Sequence, residues 1–218
     1  MDKYYAVLTG DIVGSTKGLS PARLERVRER LRICAKQLNG LKKDLICGKV
    51  DFFRGDGWQM LLNQPGQALR AALFIRAGLL AFENRSTRIA IGIGTAEKID
   101  PKRISQSTGM AFTLSGRALD QMKRKDQLSV ALPDVFGETT AWLTVLVRLC
   151  DALVGHWKTK QAQSVIGALQ GLTQTEIAAQ HDPPISQQAA AKSLAGGDWG
   201  AIEVALDRFE ATNCLQPK

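Results

Sequence analysis

The chain has 218 residues, of which 44% are hydrophobic and 23% are charged, with a formal charge of +8. This composition supports a packed core, and no apolar run reaches the roughly 20 residues that span a bilayer. The N-terminus does not resemble a secretory signal, and the four cysteines are not spaced as a zinc knuckle or a redox pair. We therefore expect reduced thiols and a cytoplasmic location.

The charge is divided unevenly along the chain. Residues 1–132 contain 23 basic and 12 acidic side chains, whereas residues 133–218 contain 6 basic and 9 acidic ones. The first part should attract polyanions such as nucleotides or nucleic acid. The second part should bind DNA weakly by itself, because phosphate neutralisation supplies most non-specific affinity.

Through residue 132 the pattern of apolar residues predicts the element order β-α-β-β-α-β-α-β. The first helix begins at Pro21, which is a typical first helical residue, and Ser20 before it is a typical N-cap. Strands are predicted at 4–10, 45–53, 57–62, 88–94 and 128–132, and helices at 21–37, 65–82 and 108–123. This order indicates an α+β domain over 1–134 that is ferredoxin-like, with an antiparallel sheet and helices on one face.

Only helices are predicted after Pro133 and Gly137, so residues 138–218 form a second, all-helical domain. Its long first helix carries a wide apolar stripe, which either packs on the protein itself or pairs two subunits. The members of the stripe are Trp142, Val145, Leu146, Leu149, Leu153 and Trp157.

Residues 172–194 have the spacing of a helix-turn-helix. Thr173 and Glu176 form a capping box that begins the first helix. The interior would contain Ile177, Ala178, Ile185 and Ala189. The side chains that would face a DNA major groove are Ser186, Gln187, Gln188 and Lys192. The alternative is a helical module that binds protein or pairs subunits.

Two aspartates are predicted to face a common point. Asp11 ends the first strand, and Asp56 lies at the tip of the neighbouring hairpin. Two carboxylates with room for water and phosphate oxygens are what Mg²⁺ prefers, so Mg²⁺ is the expected cofactor and no organic cofactor is expected. The backbone N–H groups of Gly14, Ser15 and Thr16, near a helix N-terminus, suit nucleotide phosphates. The alternative is that each aspartate is a structural turn residue.

These segments resemble a known family. Residues 11–16 resemble the first metal motif of class III nucleotide cyclases, and residues 55–56 resemble their second metal aspartate. The strand at 88–94 and the segment 109–117 also resemble cyclase segments. The whole chain resembles the SatD family, bacterial proteins that join a cyclase-like domain to a C-terminal helix-turn-helix.

Three further positions can be compared with the cyclase pattern, and only Arg117 fits its role. Arg117 would neutralise charge that develops on the α-phosphate, in a site completed across a homodimer. Phe52 stands where cyclases have a purine-selecting lysine, and Thr113 stands where they have a ribose-orienting asparagine. The metal pair is therefore retained, whereas much of the base and ribose recognition is not.

Three functions remain open from the sequence. One is a transcription regulator in which a domain that binds Mg²⁺ and a nucleoside triphosphate is coupled to a helix-turn-helix bound to double-stranded DNA. Another is a nucleotidyl cyclase or related phosphoryl-transfer enzyme. The last is an interaction module whose site has decayed. The lost selectivity residues favour the regulator over the enzyme, and the retained aspartates favour both over the interaction module.

Overall fold

The computed structural model describes residues 3–15, 19–53 and 55–212. Five strands form one sheet: β1 (Tyr4–Ile12), β2 (Ile46–Phe53), β3 (Gly57–Leu62), β4 (Thr87–Thr95) and β5 (Leu128–Ala131). The helices of the sheet region are α1 (Pro21–Leu41), α2 (Ala68–Glu83) and α3 (Met110–Gln121). The later helices are α4 (Gly137–Val154), α5 (Thr159–Leu169), α6 (Gln174–Gln180), α7 (Gln187–Gly196) and α8 (Trp199–Glu210).

The sheet is mixed rather than antiparallel throughout. Its strand order is β2-β3-β1-β4-β5, and only the β4–β5 pair is parallel. A parallel pair needs a crossover connection, and α3 with its flanking loops provides it. The predicted order of elements is present, but the prediction of a wholly antiparallel sheet was wrong at this edge.

The helices cover both faces of the sheet, contrary to the prediction of one covered face. Alternate strand residues such as Leu8 and Ile91 contribute to the core that includes α1 and α2, whereas Val7 and Leu61 pack with Ala111 and Phe112 of α3. Gly92 makes the close seating of α3 possible. A Cβ atom at this position would lie 2.3 Å from the backbone oxygen of Ala111.

The later helices pack against the sheet region through α2. One continuous hydrophobic cluster includes side chains of both parts. At the junction, buried Arg76 of α2 donates to Asp151 Oδ1 of α4 at 2.6 Å. The backbone N–H of Gln127 donates to Asp151 Oδ2 at 2.9 Å, and Arg76 also donates to the Gln127 side chain at 2.8 Å. This network joins α2, the loop before β5 and α4.

Helix α4 packs inward through more residues than the predicted stripe contains. Of that stripe, Trp142, Leu146 and Leu153 are partly buried against the core, and Trp157 just beyond the helix is buried. Its buried apolar residues are Leu143, Val147, Cys150 and Val154. Val145 and Leu149 are 59% and 61% exposed. Helical spacing therefore identified part of the inward face, and it did not separate Val145 and Leu149 from the residues that pack inward.

The segment predicted as a helix-turn-helix forms α6 and α7. The hydroxyl and backbone N–H of Thr173 make the capping box with Glu176, and Ser186 accepts from the N–H of Ala189 at 3.2 Å. The buried residues of α7 are Ala190 and Leu194, whereas Ala189, which was predicted to face the interior, is exposed. A helix-turn-helix as a DNA-binding unit stays a prediction.

Two of the three cysteines in the described residues, Cys34 and Cys150, are buried. Burial raises the pKa of Cys34 to about 12 and that of Cys150 to about 11, so both remain protonated at neutral pH. Cys47 is also free, and Cys214 lies outside the described residues. Among the described helices, none combines the length and apolarity needed to cross a membrane.

Candidate functional site

A cleft of about 500 Å³ lies between the C-terminal end of β1, the N-terminal end of β3 and helix α3. Three carboxylates line it: Asp11 of β1, Asp56 of the β2–β3 turn and Asp120 of α3. Phe53 and Leu119 add apolar surface. The cleft is therefore acidic, and the first two carboxylates are those that the sequence predicts to face one point.

The alternation of strand residues places these groups. Thr9 and Asp11 share the β1 face that carries Val7, and Gln59 is the register partner of Thr9 on β3. The Thr9 hydroxyl accepts from Gln59 Nε2 at 2.8 Å and lies 2.8 Å from the hydroxyl of Ser115 in α3. These buried contacts hold both strands and the helix at a fixed spacing beneath the carboxylates.

Asp11 forms an ion pair with Arg88, its register partner on β4. Arg88 Nε donates to Asp11 Oδ1 at 2.9 Å, and Arg88 Nη2 donates to Asp11 Oδ2. Hydrogen bonding to Asp11 raises the pKa of Arg88, and the charges of Asp56 and Asp120 also favour the protonated guanidinium. Both oxygens of the predicted metal ligand are thus engaged by a cation of the chain itself.

Asp56 is held by the loop that follows β1. The Ser15 hydroxyl donates to Asp56 Oδ2, and the backbone N–H of Ile12 donates to the Asp56 carbonyl at 3.3 Å. Gly14 is exposed and has a φ of 76°, a left-handed conformation that favours glycine. Of the three predicted phosphate-binding residues, Ser15 therefore contacts a carboxylate of the cleft, Gly14 precedes it in the same loop, and Thr16 lies outside the described residues.

Three residues named by the cyclase resemblance do not line the cleft. Phe52 packs on the opposite face of the sheet, where the guanidinium groups of Arg28 and Arg32 lie 5.6 Å and 4.9 Å from its ring centroid. Thr113 and Arg117 are exposed on α3. The expected base and ribose region at Phe52 is thus separated from the carboxylates by the sheet, because adjacent residues of a strand face opposite ways.

The arginines of α1 have local partners. Arg32 pairs with Glu25 at 2.8 Å and Glu29 at 3.0 Å, and these carboxylates raise the pKa of Arg32. Arg28 donates to the carbonyl of Gly55 in the hairpin turn. Part of this basic helix therefore supports the turn that carries Asp56.

Sequence reasoning did not assign Arg88 and Asp120 to the site. Arg88 belongs to the strand that the sequence identified, and period-two alternation puts it on the face of Ala90 and Gly92 rather than that of the buried isoleucines. Its position opposite Asp11 becomes visible only when the β1–β4 register is known. Asp120 lies one helical turn beyond Gly116, which also lines the cleft.

The oxygens of this cleft fit Mg²⁺ in chemical type. Mg²⁺ is commonly held by one or two carboxylates, with water and substrate phosphates completing the octahedron. Asp11 and Asp56 can supply two carboxylates, provided that Arg88 releases Asp11. Within the described residues, no group of three or more His, Cys, Asp or Glu side chains is arranged to hold a metal ion.

No protein-family model and no curated protein matches this chain. Among solved structures, the guanylyl cyclase Cya2 is similar over 64% of this chain and 81% of the cyclase, with 16% identity and a TM-score of 0.39. A bacterial light-regulated adenylyl cyclase is similar over 60% of this chain, with 18% identity and a TM-score of 0.40. The match covers 43% of that cyclase. Similarity at this level does not transfer an activity.

Proposed function

We propose that this protein binds a nucleoside triphosphate together with Mg²⁺ in the Asp11–Asp56 cleft, and that it is a regulator of the SatD type. The observation that carries the proposal is the convergence of two carboxylates, from a strand end and a neighbouring turn, on one cleft beside the loop containing Gly14 and Ser15. This arrangement offers hard oxygens to a cation, and the loop residues Gly14 and Ser15 are the ones that we propose to contact phosphates.

The charge of the cleft makes the expected nucleotide binding depend on a divalent cation. Asp11, Asp56 and Asp120 would repel a triphosphate, and Arg88 offsets only one of the three charges. A divalent cation between the carboxylates and the phosphates would remove this repulsion. Asp11 and Asp56 would hold the cation, and Ser15 would orient Asp56.

A calorimetric titration with each triphosphate, with and without Mg²⁺, tests this proposal. We expect Asp11→Asn and Asp56→Asn to weaken Mg²⁺-dependent binding at least about tenfold, because each removes a charge while keeping the shape. Asp207→Asn, an exposed aspartate of α8, is the matched control and should bind as the unaltered protein does. Equal affinities in all four proteins would contradict the metal site.

The enzyme alternative depends on Arg117. In a homodimer, this exposed arginine would reach the partner's cleft, as the resemblance implies. Mass spectrometry of products after incubation with all four triphosphates distinguishes the alternatives. The regulator binds without turnover, whereas a cyclase or other phosphoryl-transfer enzyme forms a product that Arg117→Ala abolishes.

The proposed homodimer would use the exposed apolar residues of α4. Val145 and Leu149 lie one turn apart, so a second copy could bury both. Sedimentation of the Val145→Glu/Leu149→Glu variant should show a monomer at a concentration where the unaltered protein is dimeric. A strict monomer for the unaltered protein, with and without nucleotide, would contradict this part of the proposal.

DNA binding is proposed for α7 because its polar residues are exposed on one side of the later helices. Ser186 caps the helix, and Gln187, Gln188 and Lys192 are exposed on it. Gel-shift titration of the full chain should show that Lys192→Ala weakens binding to all sequences alike, since a lysine on a phosphate carries no base information. Gln187→Ala or Gln188→Ala should relax sequence preference by roughly 1–3 kcal/mol.

Exposed Gln121 of α3 provides the control variant Gln121→Ala, which should leave both affinity and preference unchanged. If the full chain binds no duplex from a random pool at low salt, α6 and α7 form a protein-contact module instead.

A further inference from the structure

We infer that Arg88 makes the cleft respond to a divalent cation and a polyphosphate only when both are present. In this inference, which rests on the proposed function, Arg88 pairs with Asp11 until a ligand binds. It transfers its hydrogen bonds to a phosphate group when Asp11 becomes a metal ligand. The residue is thus a positioning and specificity group of the site, with two alternative partners.

The bidentate geometry is the first support. Arg88 Nε and Nη2 donate to the two different oxygens of Asp11, and the backbone register places the two residues side by side on neighbouring strands. Charge-assisted hydrogen bonds of this fork type are stronger than neutral ones. A cation arriving alone must displace both bonds and leave Arg88 without its carboxylate partner, so binding of the free cation should be weak.

The position of the pair is the second support. The Arg88 and Asp11 side chains are 30% and 22% exposed, at the wall of a solvent-accessible cleft. The long Arg88 side chain can therefore rotate away from Asp11 without a change in the backbone of β4. A guanidinium binds phosphate in the same bidentate mode as carboxylate, so a triphosphate in the cleft offers it an equivalent partner.

The surrounding charge is the third support. Asp56 and Asp120 line the same cleft as Asp11, and a guanidinium keeps its charge whichever partner it has. A triphosphate without a cation meets the carboxylates and is repelled. A cation without a triphosphate meets an aspartate that is already paired. Only the two together satisfy Asp11, Arg88 and the phosphates at once.

The test measures binding of Mn²⁺ alone to the full chain, by electron paramagnetic resonance of the free ion. Arg88→Gln should raise the affinity for Mn²⁺ at least about tenfold, because Asp11 loses its competing cation. Arg70→Gln is the matched control. Arg70 is a partly buried arginine that pairs with Glu210 at 2.5 Å, away from the cleft, and its loss should leave Mn²⁺ binding unchanged.

The second measurement is calorimetric titration of a triphosphate at saturating Mn²⁺ and without metal. In the unaltered protein, Mn²⁺ should strengthen triphosphate binding, and in Arg88→Gln this gain should shrink at least about tenfold. Arg88→Lys keeps the positive charge but loses the bidentate guanidinium. Its gain in triphosphate affinity on adding Mn²⁺ should lie between the gains of those two proteins. Circular dichroism checks that each variant is folded.

Unchanged Mn²⁺ affinity in folded Arg88→Gln would overturn the inference. Absence of triphosphate binding to the unaltered protein at saturating Mn²⁺ would instead contradict the proposed function. The measurement with Mn²⁺ alone keeps these two failures distinguishable.

Discussion

Two arginine–aspartate pairs occur in different regions of this molecule and illustrate different uses of one chemistry. Arg76 and Asp151, at the junction of the sheet region and the later helices, are 4% and 9% exposed, whereas Arg88 and Asp11 in the cleft are 30% and 22% exposed. Gln127 extends the junction pair, because its backbone N–H donates to Asp151 and its side-chain oxygen accepts from Arg76. The cleft pair has solvent beside it.

The difference in burial determines what each pair can do. Burial lowers the pKa of Arg76, and Asp151 opposes that effect by its charge and hydrogen bond, so neither group can lose its partner at low cost. In the cleft, water can solvate either group when the pair opens. A buried pair is thus suited to fixing the arrangement of elements, and a half-exposed pair is suited to exchange with a ligand.

The largest expected effect is at the junction. Asp151→Ala should lower the free energy of unfolding by about 3–5 kcal/mol, because it leaves the Arg76 charge buried without a carboxylate. Urea denaturation measures this loss. Replacing both partners, as Arg76→Met/Asp151→Leu, should recover part of it, since no charge then remains buried. A loss below about 1 kcal/mol for Asp151→Ala would remove the contrast between the pairs.

A second buried polar contact, between His181 and Ser164, should make the stability of the fold depend on pH. His181 is buried within 2.9 Å of the Ser164 hydroxyl, and burial, with a smaller contribution from Lys160, lowers the pKa of His181. The unfolded chain therefore binds a proton at a higher pH than the folded chain. Stability should fall as pH decreases from about 6.5, by no more than ~1.4 kcal/mol per pH unit, and level off below the folded-state pKa.

Urea denaturation between pH 7.5 and about 5 measures that slope. His181→Gln should reduce it, whereas His156→Gln, a change at the exposed second histidine, should leave it in place. An identical slope in the two variants would show that His181 does not cause it.

Local capping provides a smaller stabilising effect in the later helices. Thr173→Ala should lower the free energy of unfolding by about 1 kcal/mol, because its side chain accepts from the Glu176 N–H and completes the capping box. Thr175→Ala, at an exposed position within the same helix, should change stability by no more than about 0.5 kcal/mol. Thermal denaturation of the two variants compares them, and equal losses would contradict the capping role.

The smallest effect is expected at the cleft pair. Asp11→Asn should change the free energy of unfolding by less than about 1 kcal/mol, since both partners retain access to water. Urea denaturation beside Asp151→Ala makes the comparison direct. Destabilisation as large as that of Asp151→Ala would mean that the cleft pair is structural, and the ligand-exchange role of Arg88 would lose its basis.

The sequence predicted much of the strand and helix order because apolar alternation and capping residues are local signals. It also predicted that Asp11 and Asp56 face one point, since β1 and β3 are neighbours. It did not predict the Asp11–Arg88 pair or the separation of Phe52 from the cleft. The pair depends on which residues of distant strands are opposite one another, and the separation depends on which face of the sheet each helix covers. Neither property can be read from a short segment of the sequence.

The contact of Gly92 with α3 has a mechanical consequence for the cleft. Because the helix rests on the bare backbone of β4, no side chain lies between them that could change rotamer and absorb a displacement. Helix α3, which carries Asp120, and strand β4, which carries Arg88, should therefore move as one rigid unit. The cleft should therefore adjust to molecules of different size by movement of its opposite wall, the β2–β3 turn. The hydrogen bonds that Ser15 and Arg28 donate to this turn should limit that movement.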